Sequence, residues 1–580
     1  MGVLEGFGFG LVFPLVRVLA EPTALNNDGF LGRAYQWSGV ESPNTFLAII
    51  GALIFGILLL KSMLSIVYIR WQSGLIARGE SDVAVRLFRH YLFADYSFHL
   101  RRHSAELIRN IQLLVTTMFG RMLFPLVQLV AESFIILAIV ITLVVVDPIA
   151  AFAAIGILGL TAIAYLQVYG GRTHDLGADD VRLQGDSQRQ VQEGLGGVKT
   201  LHALGRLEPV ADHFQTVRTE LAQVRQKQLF SNQLPRYLLE AALVVALVVI
   251  VVVVIGTRSG AQAVATLGLL AAGSFRLMPS LGRVLTTSNG AAAARVATEV
   301  VVNELSALLP VDPLTLHQVE PLEFKRDLRL ESVTFIYPGS VEQVLHGIDL
   351  TVARGESVGL VGASGAGKTT LVDLVLGLLR PTSGRLLVDG EPIEGARLMA
   401  WRRAVGYVPQ EVFLFDDTIQ RNIAVGLDDD LVDTGRLDRA VSLAQLSDLI
   451  AELPEGLGTR LGERGVRLSG GQRQRVGIAR ALYGQPRMLI LDEATSALDG
   501  LTEAAITATV EALHGELTML VIAHRLSTVS RCDRIVLLAA GAVEGAGTFD
   551  ELAKGSESFA NLVRVAGLMP GGASPSGDAE

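Results

Sequence analysis

Residues 362–369 read GASGAGKT and fit the pattern G-x-x-x-x-G-K-[ST]. Residues of these types at this spacing hold phosphate. Gly362, Gly365 and Gly367 let backbone N–H groups turn inward onto phosphate oxygens. Lys368 adds a point charge for the outer phosphates, and the Thr369 hydroxyl can ligate Mg²⁺. Ser364 and Thr370 belong to the same phosphate-binding set. The flanks agree: residues 357–361 (SVGLV) read as a short buried strand, and 369–379 as a helix whose N-terminus faces the anion. Downstream, 487–493 (RMLILDE) is an apolar run ending in two acids. A buried strand that ends this way places its carboxylates beside the phosphates. Asp492 suits the Mg²⁺ shell, and Glu493 suits a general base that orients the attacking water. Together these residue types point to binding and hydrolysis of a nucleotide phosphate.

Between the two motifs lies LSGGQ at 468–472. Here the sequence resembles the ATP-binding cassette (ABC) family, for which that pentapeptide is diagnostic. Further marks of the family follow in order. Tyr337 resembles the aromatic residue that stacks on adenine. Gln410, in YVPQ, resembles the glutamine that meets the metal and the attacking water. Glu463 precedes the signature. Asp499, in SALD, resembles the aspartate of the loop after the acidic motif. His524, in IAHR, resembles the switch histidine that contacts the terminal phosphate. The resemblance covers residues 324–569. It implies an α/β P-loop NTPase domain that uses ATP and Mg²⁺, with Glu493, His524 and Gln410 in the catalytic step. It also implies that Ser469, Gly470, Gly471 and Gln472 of one subunit face the ATP held by another.

The 580 residues are 50% hydrophobic and 18% charged, with a mean hydropathy of +0.43. A soluble globular chain is about 25% charged, so part of this one must sit in lipid. The net charge of −9 carries no nucleic-acid footprint. A single cysteine, Cys532, excludes an intramolecular disulfide and reads as a packing residue.

The motifs need a scaffold that couples them to the membrane. Six apolar stretches are long enough to span, at about 3–20, 46–69, 122–146, 149–169, 236–256 and 262–285. No basic n-region precedes the first, so it does not read as a cleaved signal. It is short, and exporters of the resembled family usually begin with an elbow helix, so a start assigned too late is the expectation. Loop 70–121 holds eight arginines, Arg70, Arg78, Arg86, Arg89, Arg101, Arg102, Arg109 and Arg121, whereas segments 21–44 and 257–261 hold only Arg33 and Arg258. The long basic loops are therefore cytoplasmic. The predicted organisation is an all-α transmembrane domain over 1–309, a linker over 310–323, the cassette over 324–569 and a disordered tail over 570–580. In exporters of the family, short helices at the tips of the long cytoplasmic segments dock on the ATPase. Residues 96–99 and 199–214 resemble these tips.

One chain with six spans and one cassette is half a machine. The resemblance implies a dimer with two ATP sites, formed with a second copy or with a related half-transporter. The order, spans before cassette, is that of exporters, and the expected location is the bacterial inner membrane with the cassette cytoplasmic. Arg276 and Arg283 lie seven apart within the sixth apolar stretch, on one helix face. Charge inside a span is costly and points to function. The two arginines can hold a phosphate bidentately, pair with Glu132 or Glu240, or snorkel to the interface. The sequences around Arg276 and around 96–111, and an amphipathic segment within 21–44, resemble lipid-linked oligosaccharide flippases. An amphipathic, lipid-linked, phosphate-bearing cargo is the resulting expectation. Peptide or drug export remains the alternative, followed by an ATP-gated channel or a non-transporting regulator.

Glu493→Gln matches the carboxylate in size but cannot act as a base. It should keep ATP binding and lower turnover at least about a hundredfold, measured by phosphate release. Turnover within a few-fold of wild type would show that another group activates the water.

Overall fold

The computed structural model describes residues 30–40, 42–146, 148–257, 261–307, 319–492, 513–522 and 526–565. The chain divides into two compact units, Met1–Ala94 with Arg102–Val311, and Asp95–Arg101 with Asp312–Glu580.

The helices of the N-terminal half are α1 (Phe30–Ser38), α2 (Pro43–Phe93), α3 (Tyr96–His99), α4 (Ser104–Arg109), α5 (Phe124–Val146), α6 (Pro148–Gly196), α7 (Val198–Leu204), α8 (Leu207–Thr257) and α9 (Ala261–Ser306). Two π-helical stretches, Asn110–Leu114 and Met118–Leu123, carry α4 into α5 without a break. Among the described residues four helices are long and apolar enough to cross a membrane: Asn44–Phe93, Ser104–Val145, Ala151–Gly196 and Leu207–Val252. The first contains the stretch expected at 46–69, and the others cover most of those expected at 122–146, 149–169 and 236–256. The stretch 262–285 falls within α9, and 3–20 lies outside the described residues.

Pro148 opens α6, where its fixed φ suits a first turn. The second expected tip, 199–214, is not one helix. α7 ends at Gly205, whose φ of 62° is the left-handed cap that stops a helix, and α8 begins two residues later. α9 packs against α5, α6 and α8. Ile135, Ile139 and Leu143 of α5 meet Ala151 and Ala154 of α6, Ile250 of α8 and Leu277 of α9 in one apolar cluster. A second cluster joins Leu158 and Tyr165 to Leu239, Leu243 and Leu285. The α6–α9 crossing is tight, since a Cβ on Gly177 would lie 2.1 Å from the carbonyl oxygen of Ala293. α2 instead exposes Phe55, Met63, Ile66 and Val67, an apolar surface suited to lipid or to another chain. In α1, the amphipathic segment of the sequence reading, the Tyr35 ring packs edge-on against Phe46 at 5.1 Å.

The second unit holds two sheets. β1 (Asp327–Ile336), β2 (Gln343–Ala353), β4 (Ser383–Val388) and β5 (Glu391–Pro392) form an antiparallel sheet in the order β2-β1-β4-β5. β3 (Ser357–Gly362), β6 (Val405–Val408), β7 (Met488–Asp492), β8 (Thr518–Ile522), β9 (Arg534–Ala539) and β10 (Ala542–Gly547) form the other, in the order β10-β9-β3-β8-β7-β6. All neighbours in this sheet are parallel except the β9–β10 edge pair. β7 and β8 are buried at every position, as expected of strands covered on both faces. α3 groups with this unit, and Asp95 at its N-terminus lies 3.5 Å from Arg380.

Candidate functional site

In open parallel sheets ligands bind beyond the carboxyl ends of the strands, and the sequence motifs collect there. β3 ends at Gly362, β7 at Asp492 and β6 two residues before Gln410, with β8 between β3 and β7. After β3 the chain turns through residues 363–367 into α10 (Lys368–Val375). Glycine is required at two points of that turn. A Cβ on Gly362 would lie 2.2 Å from the carbonyl oxygen of Leu538. Gly367 sits at φ 97°, and a Cβ there would meet the Leu345 side chain at 2.7 Å. Gly365 also has positive φ, at 80°.

Lys368 is only 6% exposed. Its Nζ donates to the carbonyl oxygens of Gly362 at 2.8 Å and Ala363 at 3.0 Å. The ammonium is thus held inside the loop that would wrap a phosphate. Ser364 and Thr369 stand exposed at the rim, whereas Thr370 is buried. The Thr370 hydroxyl lies 2.9 Å from that of Tyr337, and the Tyr337 ring packs edge-on against Phe335 at 4.9 Å. The aromatic residue expected to stack on adenine is therefore fixed to the first turn of the phosphate-loop helix.

Asp492 is buried, and the Tyr407 hydroxyl donates to its Oδ2 at 3.4 Å. Asp373, on α10, is held near the same carboxylate. Burial and the Asp492 charge push the Asp373 carboxyl up to about 6. Burial also raises the Tyr407 hydroxyl, with help from both acids. The Tyr96 hydroxyl of α3 is raised by burial and by the charges of Asp373 and Tyr337. This spot is rich in negative charge, and its oxygen donors, Thr369 and Asp492, are of the kind Mg²⁺ prefers. No group of three or more His, Cys, Asp or Glu side chains able to hold a metal occurs among the described residues. Of the expected Mg²⁺ ligands Thr369, Gln410 and Asp492, only the last is of those types.

The signature opens α11 (Gly470–Tyr483) with a capping box. Ser469 Oγ accepts from the Gln472 backbone N–H at 3.2 Å, and Gln472 Oε1 accepts from the Ser469 backbone N–H at 2.8 Å. Gly471 is buried. The side chains of Ser469 and Gln472 thus shape the turn, and the helix N-terminus, the end that attracts anions, is what they present. Glu493, Asp499 and His524 lie outside the described residues.

Sequence reading did not single out Tyr407 or Asp373. Tyr407 sits three residues before Gln410, but its bond to Asp492 exists only because β6 pairs in parallel with β7. Asp373 lies five residues past Lys368, more than one helical turn into α10. The Ser469/Gln472 box was not singled out either, although S-x-x-Q before a helix is its local signal. Burial raises the Cys532 thiol, as suits a packing residue.

In the membrane unit Arg283 is bound to Glu132. Its Nε donates to Oε1 at 2.5 Å and its Nη2 to Oε2 at 3.1 Å. Lys61 of α2 is within electrostatic reach of both. Glu240 pairs with Arg236, one turn away on α8, at 3.0 Å. Arg276 lies on α9, seven residues before Arg283, and its side chain falls outside the described residues.

Comparison with known proteins agrees with this geometry. Residues 345–496 match the ABC transporter family and residues 11–280 the ABC transporter transmembrane region. The chain is 34% identical over 490 residues to an ATP-dependent lipid A-core flippase of Cupriavidus pinatubonensis, covering 83% of this chain and 81% of that one. It is 42% identical over 246 residues to the putative multidrug export ATP-binding/permease protein YgaD of Bacillus subtilis, covering 42% of each. A bacterial Atm1-family ABC exporter with ATP bound superposes with a TM-score of 0.77 at 26% identity, covering 97% of this chain and 98% of that one.

If the signature of one subunit completes the phosphate site of its partner, the two lesions Lys368→Ala and Ser469→Arg should complement. In a mixed dimer one composite site carries both lesions and the other carries neither. ATPase should be absent from each pure variant and partly restored in the mixture. Zero activity in all three preparations would contradict independent composite sites.

Proposed function

The chain belongs to the ABC transporter family as a fused half-transporter, and we propose that a dimer of it moves an amphipathic, phosphate-bearing lipid across the membrane. It is an ATP-hydrolysing exporter and a multi-pass inner-membrane protein. Its membrane domain spans about residues 1–309 with six crossings, and its cassette spans 324–569 on the cytoplasmic side, joined by the 310–323 linker. Two copies supply both ATP sites.

The observation that carries the ATPase reading is the convergence of the Gly362–Thr369 turn, Lys368 and Asp492 at the ends of parallel strands. The Gly362–Thr369 backbone wraps the phosphates, and Lys368 exchanges its loop carbonyls for phosphate oxygens. Thr369, Asp492 and Gln410 would hold Mg²⁺, which supplies charge neutralisation at the phosphates when bound. Glu493 takes a proton from the attacking water, Gln410 orients that water and His524 contacts the terminal phosphate. Tyr337 packs on the base. Ser469, Gly470, Gly471, Gln472 and Asp499 close the site from the partner.

The cargo reading rests on charge inside the apolar stretch of α9 and on the relatives named as lipid A-core flippases. The Arg283 fork is engaged with Glu132, so an anion there must displace or share that carboxylate. Arg276, two turns along on the same face, is the second phosphate ligand.

ATPase of the dimer in phosphatidylcholine nanodiscs with graded lipid A tests this. Lipid A should stimulate wild type several-fold, Arg276→Ala should lose the stimulation, and Arg276→Lys should recover part of it, because Lys lacks the bidentate fork. ATPase that is indifferent to lipid A and to other phosphate-bearing lipids would overturn the cargo reading in favour of a peptide or drug exporter.

A further inference from the structure

Below the Arg283–Glu132 pair the membrane unit encloses a second polar feature. A cavity of about 550 Å³ lies among α6, α8, α9 and the π-helical turn that leads into α5. Two of its lining residues are cations, Arg121 and Arg225, and none is an acid. Gln228, Asn232, Thr287 and Asn289 supply amides and a hydroxyl. Arg225 forms an ion pair with the nearly buried Asp180, at 3.6 Å, longer than a hydrogen bond.

Three observations show that this is a built site. Arg121 sits on Met118–Leu123, a π-helical stretch. Such wide turns re-aim side chains and often mark functional sites. Asn289 is 2% exposed. Its Nδ2 donates to the Tyr165 hydroxyl at 2.6 Å and to the Ser231 carbonyl at 3.1 Å, while its Oδ1 has no partner. A buried amide oxygen left without a donor is costly, and a ligand hydroxyl in the adjoining cavity would remove that cost. The third observation is depth. Arg121 immediately precedes the apolar stretch 122–146, and Thr173 follows 149–169 by four residues. Asn232 precedes 236–256 by four, and Thr287 follows 262–285 by two. Each helix therefore contributes a lining residue within about one helical turn, ~6 Å, of the cytoplasmic end of its apolar stretch, at the level of the cytoplasmic-leaflet headgroups, whereas Arg225, eleven residues before 236–256, lies ~17 Å along α8 from that end. Thr287 is also one turn of α9 from Arg283, so the cavity adjoins the charged pair above it.

We infer that this cavity is the loading station of the transporter: Arg121 and Arg225 take the phosphate, and the amides and Thr287 the hydroxyls, of a sugar-phosphate headgroup from a cytoplasmic-leaflet lipid. The inference rests on the lipid-cargo reading above and assigns it a first binding position distinct from Arg276 and Arg283. Two guanidinium forks grip a phosphate with defined geometry. The lining itself carries no acid, so at Arg121 an anion meets no lining carboxylate, and at Arg225 it shares the guanidinium with Asp180.

Binding of a fluorescent lipid A to the purified dimer in phosphatidylcholine nanodiscs tests the station. Arg121→Gln with Arg225→Gln should raise the apparent Kd about tenfold, the loss expected for charge-assisted hydrogen bonds. Arg121→Lys, which keeps charge and fold, should fall between wild type and the double variant. Dephosphorylated lipid A should bind wild type as weakly as lipid A binds the double variant. Elution as a dimer with an unchanged melting temperature checks that the variants fold. If wild type binds lipid A no better than phosphatidylcholine, the cargo reading itself fails. If wild type binds lipid A and the double variant binds it equally well, the station is wrong and the cargo reading stands. If the soluble phosphorylated disaccharide, without acyl chains, binds as tightly as lipid A through the same arginines, the occupant is a free sugar phosphate, and the lipid source is overturned.

Discussion

A buried ammonium group sets the terms for the cassette. Lys368 is nearly sealed from water and donates to two loop carbonyls of its own turn. Burying a charge is tolerable only with oxygens around it, and the turn supplies them by curling through residues where a side chain would collide or strain. A nucleotide phosphate offers the same ammonium better oxygens. ATP therefore enters a site whose dominant charge is already desolvated and aimed, and this limits the reorganisation that binding must drive. The parallel strands hold the rest in register. β8 separates β3 from β7, so Gly362 and Asp492 stand at one sheet edge with a single strand between them.

The membrane unit solves a different problem. Its helices carry charged and amide groups at depths where they need partners. Glu132 meets Arg283, and Asn289 meets Tyr165 and Ser231. α9 takes part in both pairings and also in the tightest helix crossing, at Gly177. α9, the helix proposed to carry the phosphate ligands, is thus tied to three neighbours. A shift of α9 would be felt by α5, α6 and α8 together, as packed, bistable elements require for a concerted change.

The phosphate turn, the acidic strand end and the signature were legible because each depends on local spacing. Glycines at 362, 365 and 367 and an apolar run before Asp492 specify their own geometry. The short tip at residues 96–99 came from the family resemblance rather than from spacing, and those residues form α3. Contacts set by sheet order were not legible. Nothing in the neighbourhood of Tyr407 says that β6 will lie beside β7, so its bond to Asp492 stayed hidden. The π-helical turns before α5 left no trace in hydrophobic periodicity, and with them the placement of Arg121 was lost. For Arg283 the sequence left a phosphate, Glu132, Glu240 and the interface open, and only the fold, which sets α5 against α9, shows the pair with Glu132.

The central claim is that ATP hydrolysis at the Lys368 cradle drives a phosphate-bearing lipid from the cytoplasmic leaflet to the opposite one. Proteoliposomes with the cassettes facing outward, carrying quenchable fluorescent lipid A in the outer leaflet, measure this directly. With ATP and Mg²⁺, the account predicts that the label becomes progressively protected from a membrane-impermeant quencher, at a rate set by ATP turnover. Label that stays fully quenchable while ATP is hydrolysed, or that moves from the inner to the outer leaflet, would contradict it.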